Sequence, residues 1–181
     1  MSHVDPQKAI RLKELCRLLD VKERQASYVM ERGFVPKGIE KTPDRGNHRY
    51  FRPHHAFWLG LLLKLKEHGI QTPLAATIAT FSDEALRTLT QNLSWDWQFL
   101  PAQGKLDTEH EYYLDVGDMK HVRLATDANP SQKKGLWYTD WYPVRGPKRA
   151  KKKNIRPLVT VRIDLGKLAL LLKGARWEWG T

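Results

Sequence analysis

Between residues 12 and 33 the apolar side chains recur at helical spacing, break once, resume and stop, and this pattern constrains the fold most. Leu12, Leu15, Cys16 and Leu19 stand at i, i+3, i+4 and i+7, one stripe of a short helix. Asp20-Val21 supplies a tight turn, where Asp tolerates a left-handed backbone better than most residues. A second helix over residues 22–32 buries Ala26, Val29 and Met30, and Gly33 ends it as a left-handed cap. Its opposite face carries Arg24, Ser27, Tyr28 and Glu31, flanked by Lys22 and Gln25. Small apolar residues behind and basic or amide groups in front suit a helix laid in a DNA groove.

The flanking segments extend this unit. Residues 1–8 are polar and expected to fray. Val35-Pro36 is expected to begin a strand, and 37–47 to form a hairpin loop broken by Gly38, Pro43 and Gly46. Residues 48–51 are expected to return as the second strand, with Arg49 and Phe51 on one face and His48 and Tyr50 on the other. Pro53 opens a helix that is apolar almost all round (Phe57, Trp58, Leu59, Leu61, Leu62, Leu63, Leu65), hence mostly buried. Thr72-Pro73 reads as a cap and first-turn Pro of another helix through Leu74, Ile78 and Phe81.

Residues 9–80 resemble the winged helix-turn-helix domain of mercury-resistance-type (MerR-family) regulators. The likeness is carried by Glu14-Leu15-Cys16, Asp20-Val21, Arg24, Tyr28 and Gly33-Phe34-Val35-Pro36, in ungapped order. It continues through Arg49-Tyr50-Phe51, a helix from about His54 to His68, and Gly69-Ile70. Phe51 stands where the family has a wing Tyr, Asp20 where it has the turn Gly, and Lys22 where a Ser cap is usual. The resemblance implies a bacterial or phage transcription regulator that binds double-stranded DNA. The single cysteine and the lack of a signal core or membrane run give the expectation of a cytoplasmic, nucleoid-associated location, and the lack of a catalytic motif that of binding without turnover. Lys22, Arg24, Gln25, Ser27 and Tyr28 would meet the major groove, and Arg45, Asn47, His48, Arg49 and Tyr50 would form the wing's contacts. RNA polymerase is a candidate partner. Members pair through a long helix, for which this chain has only residues 82–93 before Trp95, Trp97 and Pro101. A homodimer would therefore need a route other than a long coiled coil. The alternatives are an excisionase-like architectural DNA-binding protein and an adaptor whose winged domain binds protein.

Charge supports a polyanionic partner and also divides the chain. Among 181 residues there are 31 Lys and Arg against 20 Asp and Glu, a net +11. Residues 1–80 hold 14 basic and 8 acidic side chains, and 81–181 hold 17 and 12. Seven of those 17 lie in residues 145–156, a run without an acid that includes Lys148, Arg149, Lys151, Lys152 and Lys153. Outside that run the second half is 10 basic to 12 acidic. So segregated a block is either a second DNA contact or a solvated linker.

From about residue 105 the period changes to two: Tyr112, Leu114, Val116; Val122, Leu124; Trp137, Thr139, Trp141; and Val159, Val161, Ile163. The stretches from Asp115 to Asp118 and from Asp127 to Pro130 read as turns, and a short apolar helix runs from Leu165 to Leu172 before Trp177 and Trp179. The expected architecture is α+β: a winged helix-turn-helix at 9–80, a helix and connector at 81–104, and a small antiparallel sheet with a terminal helix at 105–181.

Several classes find no motif. No phosphate-cradling Gly loop or nucleophile elbow occurs, so no enzyme and no cofactor are expected. The lone Cys16 lies on a buried stripe, which speaks against thiol-based metal sensing. His48, His54 and His55 lack metal-site spacing. The paired tryptophans read as core or interface rather than a ligand cage. The N-terminus has no apolar signal core, and no run is long enough for a membrane span.

Overall fold

The computed structural model describes residues 8–36, 39, 50–80, 111–126, 137–138, 141–144, 155–173 and 178–179. Helix α1 (Leu12–Leu19) and helix α2 (Glu23–Glu31) form where the periodicity places them. Leu15, Cys16 and Leu19 are buried on α1, as are Ala26, Val29 and Met30 on α2. Asp20 adopts the left-handed conformation (φ 54°, ψ 46°), and the Val21 amide donates to the Cys16 carbonyl at 2.9 Å. Gly33 is left-handed (φ 86°); its amide reaches the Met30 carbonyl and that of Phe34 reaches Val29. Those two bonds satisfy carbonyls that the end of α2 would otherwise leave open.

Strand β1 (Lys8–Arg11) precedes α1, in a segment expected to fray up to residue 8. It pairs antiparallel with β2 (Tyr50–Phe51) on one side and with β8 (Glu178–Trp179) on the other. The expected strand at Val35-Pro36 does not form, and β2 takes β1 as its partner instead. Physically, the Phe34 amide is committed to closing α2, and Pro36 has no amide to offer a ladder. Phe51 is wholly buried.

Helix α3 (Pro53–Glu67) is buried on nearly every side, as its composition requires. The next helix, α4, occupies residues 72–80 of the described chain. The Gln71 carbonyl accepts the Ala75 amide, so Thr72 sits inside the first turn rather than capping it. Lys64 of α3 donates to the Leu19 carbonyl at the end of α1 (2.9 Å), and Trp58 Nε1 donates to Thr80 Oγ1 (3.2 Å).

The second half builds an antiparallel sheet from β3 (Tyr112–Gly117), β4 (His121–Thr126), β5 (Trp137–Tyr138), β6 (Tyr142–Pro143) and β7 (Thr160–Asp164). The order is β5-β4-β3-β7, with β6 also on β4. β5 begins where an alternating strand was expected from Trp137, and β6 follows past Trp141 along the same strand β4; residues 139–140 lie outside the described residues. Asp115, Val116 and Gly117 belong to β3, so the expected turn at 115–118 is displaced toward the C-terminus. It is closed by the Lys120 amide on the Gly117 carbonyl, with Asp118 (φ 48°) and Met119 (φ 55°) left-handed. The Asp118 carboxylate accepts the Leu158 and Val159 amides, and its own amide donates to the Val159 carbonyl. Val159 therefore lies ahead of β7 and is exposed, while Val161 is half-buried and Ile163 buried.

Helix α5 (Leu165–Lys173) buries Leu165, Leu168, Ala169 and Leu172, again i, i+3, i+4, i+7. It packs on β3 and also on α1 and α3. Residues from Ile10 to Leu172 thus contribute to one buried cluster, and the two halves of the chain share it. Among the described residues no helix is long and apolar enough to cross a membrane. The helix expected at 82–93 and the basic run through residue 154 lie outside the described residues.

Candidate nucleic-acid interface

Burying Ala26, Val29 and Met30 orients α2, because residues three and four apart share a helix face. The remaining faces carry Lys22 at the N-cap, Arg24 and Gln25, all exposed, with Ser27 half-buried. Tyr28 is 47% exposed, a large value for an aromatic ring. One side of that ring is covered by Arg32, whose guanidinium lies 4.5 Å from the centroid. Arg24, Tyr28 and Arg32 follow one another at i, i+4, i+8, so the row is a line along the helix. Sequence reasoning missed Arg32, although its i+4 spacing from Tyr28 was the available signal. It missed Arg11 as well, which sits on β1 opposite Tyr50, 5.6 Å from that ring.

Of the expected wing residues, Tyr50 is placed by the structure, half-buried on β2. Arg45, Asn47, His48 and Arg49 lie outside the described residues, as do Lys148, Arg149, Lys151, Lys152 and Lys153. Among the described residues no group of three or more His, Cys, Asp or Glu could hold a metal ion. His54 is exposed while its neighbour His55 is buried. Burial, with a smaller effect of the Glu23 charge, pushes the Cys16 thiol up to about 11. That keeps it a neutral core side chain.

A second cluster, unanticipated from the sequence, occupies the face of the five-stranded sheet opposite its apolar side. Asp115 is directly across from Arg123 on β4 and from Arg162 on β7. Its carboxylate is fully buried and accepts Arg162 Nε (2.6 Å), Arg162 Nη2 (2.9 Å) and Arg123 Nε (3.0 Å). Arg123 also lies over the rings of Tyr138 (4.1 Å) and Trp141 (4.4 Å). The hydrogen bond to Asp115, then that to Tyr138, raises the Arg162 pKa above its ordinary value. Nearby, a hydrogen bond to Glu111, reinforced by desolvation, pushes the Tyr113 phenol up to about 12. None of these groups is a nucleophile poised beside a base. Trp141, buried in this cluster, answers the expectation of a core tryptophan.

Neither family models, nor characterised proteins, nor solved structures give a match to this chain.

Proposed function

We propose that the chain is a sequence-specific double-stranded DNA-binding regulator of the MerR-like type, with α1 and α2 as its helix-turn-helix and the segment ending in β2 as its wing. The observation that carries this reading is the division of α2. Its buried face is all apolar, and its exposed surface carries Lys22, Arg24, Gln25, Tyr28 and Arg32 beside the acids Glu23 and Glu31, so that cations able to pair with phosphates stand next to groups able to read base edges. A net +6 over residues 1–80 adds long-range attraction for a duplex. In this reading Lys22 and Arg32 meet phosphates at the two ends of the helix, while Arg24 and Gln25 reach bases.

The test is selection of bound fragments from a random duplex pool by the purified chain, followed by Arg24→Ala and Gln25→Ala on the selected site and on a scrambled duplex. Loss of a good base contact is expected to cost roughly 1–3 kcal/mol on the selected site and to relax the preference at one position. Folded variants that bind both duplexes like the parent would show that α2 is not the reader. A parent that ignores duplex DNA at moderate salt would favour the protein-binding adaptor. Occupancy confined to recombination sites would favour the excisionase-like alternative.

A further inference from the structure

We propose that the face of the five-stranded sheet opposite α5 binds single-stranded nucleic acid, DNA or RNA, by stacking bases on an exposed ladder of rings and guanidiniums. Side chains alternate along a strand, so Leu114, Val116, Val122, Leu124 and Ile163 bury one face while their neighbours build the other. On that other face rings and guanidiniums follow one another as Tyr113, Arg162, Tyr138, Arg123 and Trp141. The successive separations are 5.0, 5.8, 4.1 and 4.4 Å.

The ladder is fixed before any partner arrives. Asp115 lies buried beneath it and accepts from both guanidiniums, which sets their planes. Arg162 Nη2 also meets the Tyr138 hydroxyl at 3.5 Å. Tyr138 is 38% exposed, and the Arg123 and Arg162 side chains are 25% and 38% exposed. With their hydrogen-bonding edges held by Asp115, the two arginines offer planes for stacking rather than phosphate clamps. Phenol rings and guanidinium planes accept any base, because every base has a π face. A duplex keeps those faces covered within its own stack, whereas a single strand can splay them out. The face is three strand spacings wide, about 14 Å, which is room for two or three bases.

The cations that phosphates require are tethered beside this face. The Val144 amide donates to the Lys120 carbonyl at 2.8 Å, and a Cβ on Gly117 would stand 2.8 Å from the Pro157 ring. The chain therefore leaves the face and rejoins it at the same end. Residues 145–154, between those two points, carry six cations and no acid. Lys120 and Arg156 add two exposed cations there, and the acid beside them, Asp118, is bonded to the Leu158 and Val159 amides. At the opposite end Asp164 Oδ1 accepts the Lys167 amide. An uncharged ligand would leave these cations unused, and a polyanion without bases would leave the ladder unused.

The experiment measures fluorescence anisotropy of labelled oligo-dT, oligo-rU and an abasic deoxyribose-phosphate oligomer of equal length on the full chain at one moderate salt. At least one of the two base-bearing strands should saturate and bind roughly tenfold more tightly than the abasic oligomer, about the effect of one stacked base. A preference for either sugar supports the proposal and names the source. Tyr138→Leu keeps an apolar cover on Arg123 without a flat ring. It should lose the tenfold advantage at an unchanged melting temperature, with binding of the abasic oligomer unaltered. Tyr113→Leu, at the far end of the ladder, should act in the same sense, so the test does not hang on one variant's folding. Tyr138→Phe keeps the ring and should bind like the parent. Arg24→Ala should leave all these curves in place, which separates this face from the α2 reading. The proposal is overturned if neither strand binds more tightly than the abasic oligomer, if both leucine variants bind like the parent, or if Tyr138→Phe loses as much as Tyr138→Leu. Self-association of the free chain that Tyr138→Leu abolishes in sedimentation would also overturn it, by making a second copy the occupant.

Discussion

Asp115 and Arg162 face each other across β3 and β7, and a wholly buried carboxylate there holds one edge of a guanidinium, Nε at 2.6 Å and Nη2 at 2.9 Å. The pair is asymmetric: the Asp115 side chain is 0% exposed, while the Arg162 side chain is 38% exposed. Removing the cation strands a buried charge that keeps Arg123 alone, whereas removing the anion leaves two guanidiniums that water can reach. Arg162→Met is therefore expected to destabilise the fold by roughly 3–5 kcal/mol. Asp115→Asn, which keeps a hydrogen-bonding oxygen, is expected to cost about 1–3 kcal/mol. Urea midpoints of the two variants check this order, and an equal or reversed pair of losses would contradict it.

The turn after β3 carries strain at Met119, a non-glycine residue at φ 55° whose side chain is 37% exposed. Met119→Gly relieves a left-handed backbone while losing little packing. Thermal denaturation should show a gain of about 0.5–1 kcal/mol after the entropy cost of Gly. Asp118→Ala should go the other way, by about 1–3 kcal/mol, because the Leu158 and Val159 amides both lose their acceptor.

Gly117 is a position where space decides the residue. A Cβ placed there would stand 2.8 Å from the Pro157 ring and 3.1 Å from the Trp141 ring. Neither ring is a flexible side-chain end, so strand or ring must shift. Gly117→Ala is expected to lose roughly 1–3 kcal/mol in chemical denaturation.

Cys16 should behave as an unreactive thiol. With its pKa raised from 9.0 to about 11, its thiolate at pH 8 is about a hundredfold scarcer than in the unfolded chain. Iodoacetamide should label the native protein far more slowly than the urea-unfolded chain. The sign for stability follows: the preference for a neutral thiol is fully present below pH 9 and is lost as pH rises through about 11.

The basic run at 145–156 makes a prediction from composition alone. If about half of its seven cations release counterions from a duplex, replacing them with Gly and Ser flattens log Kd against log salt by roughly 3 units. The preference for a selected site should survive, because phosphate contacts carry little sequence information. Parallel salt lines for parent and variant would make the run a linker.

Local physics was legible from the residues themselves. Helices α1, α2, α3 and α5, the left-handed Asp20 and Gly33, and the alternating faces of β3, β4 and β7 follow from periodicity and backbone preference within a few positions. The apolar back of α2 was legible for the same reason, and with it the exposed line opposite. Tertiary structure alone decided what depends on partners far along the chain. The short β1 is a strand because β2 and β8, some 40 and 170 residues away, supply its ladder bonds. Asp115 reads locally as a turn residue. Its burial is tolerable only because the register brings in Arg123 from eight residues away and Arg162 from 47. Helix α5 likewise packs on α1 and α3 as well as on its own sheet. A hydrophobic stripe fixes which side of a helix is buried, but not against what, since apolar burial is non-directional.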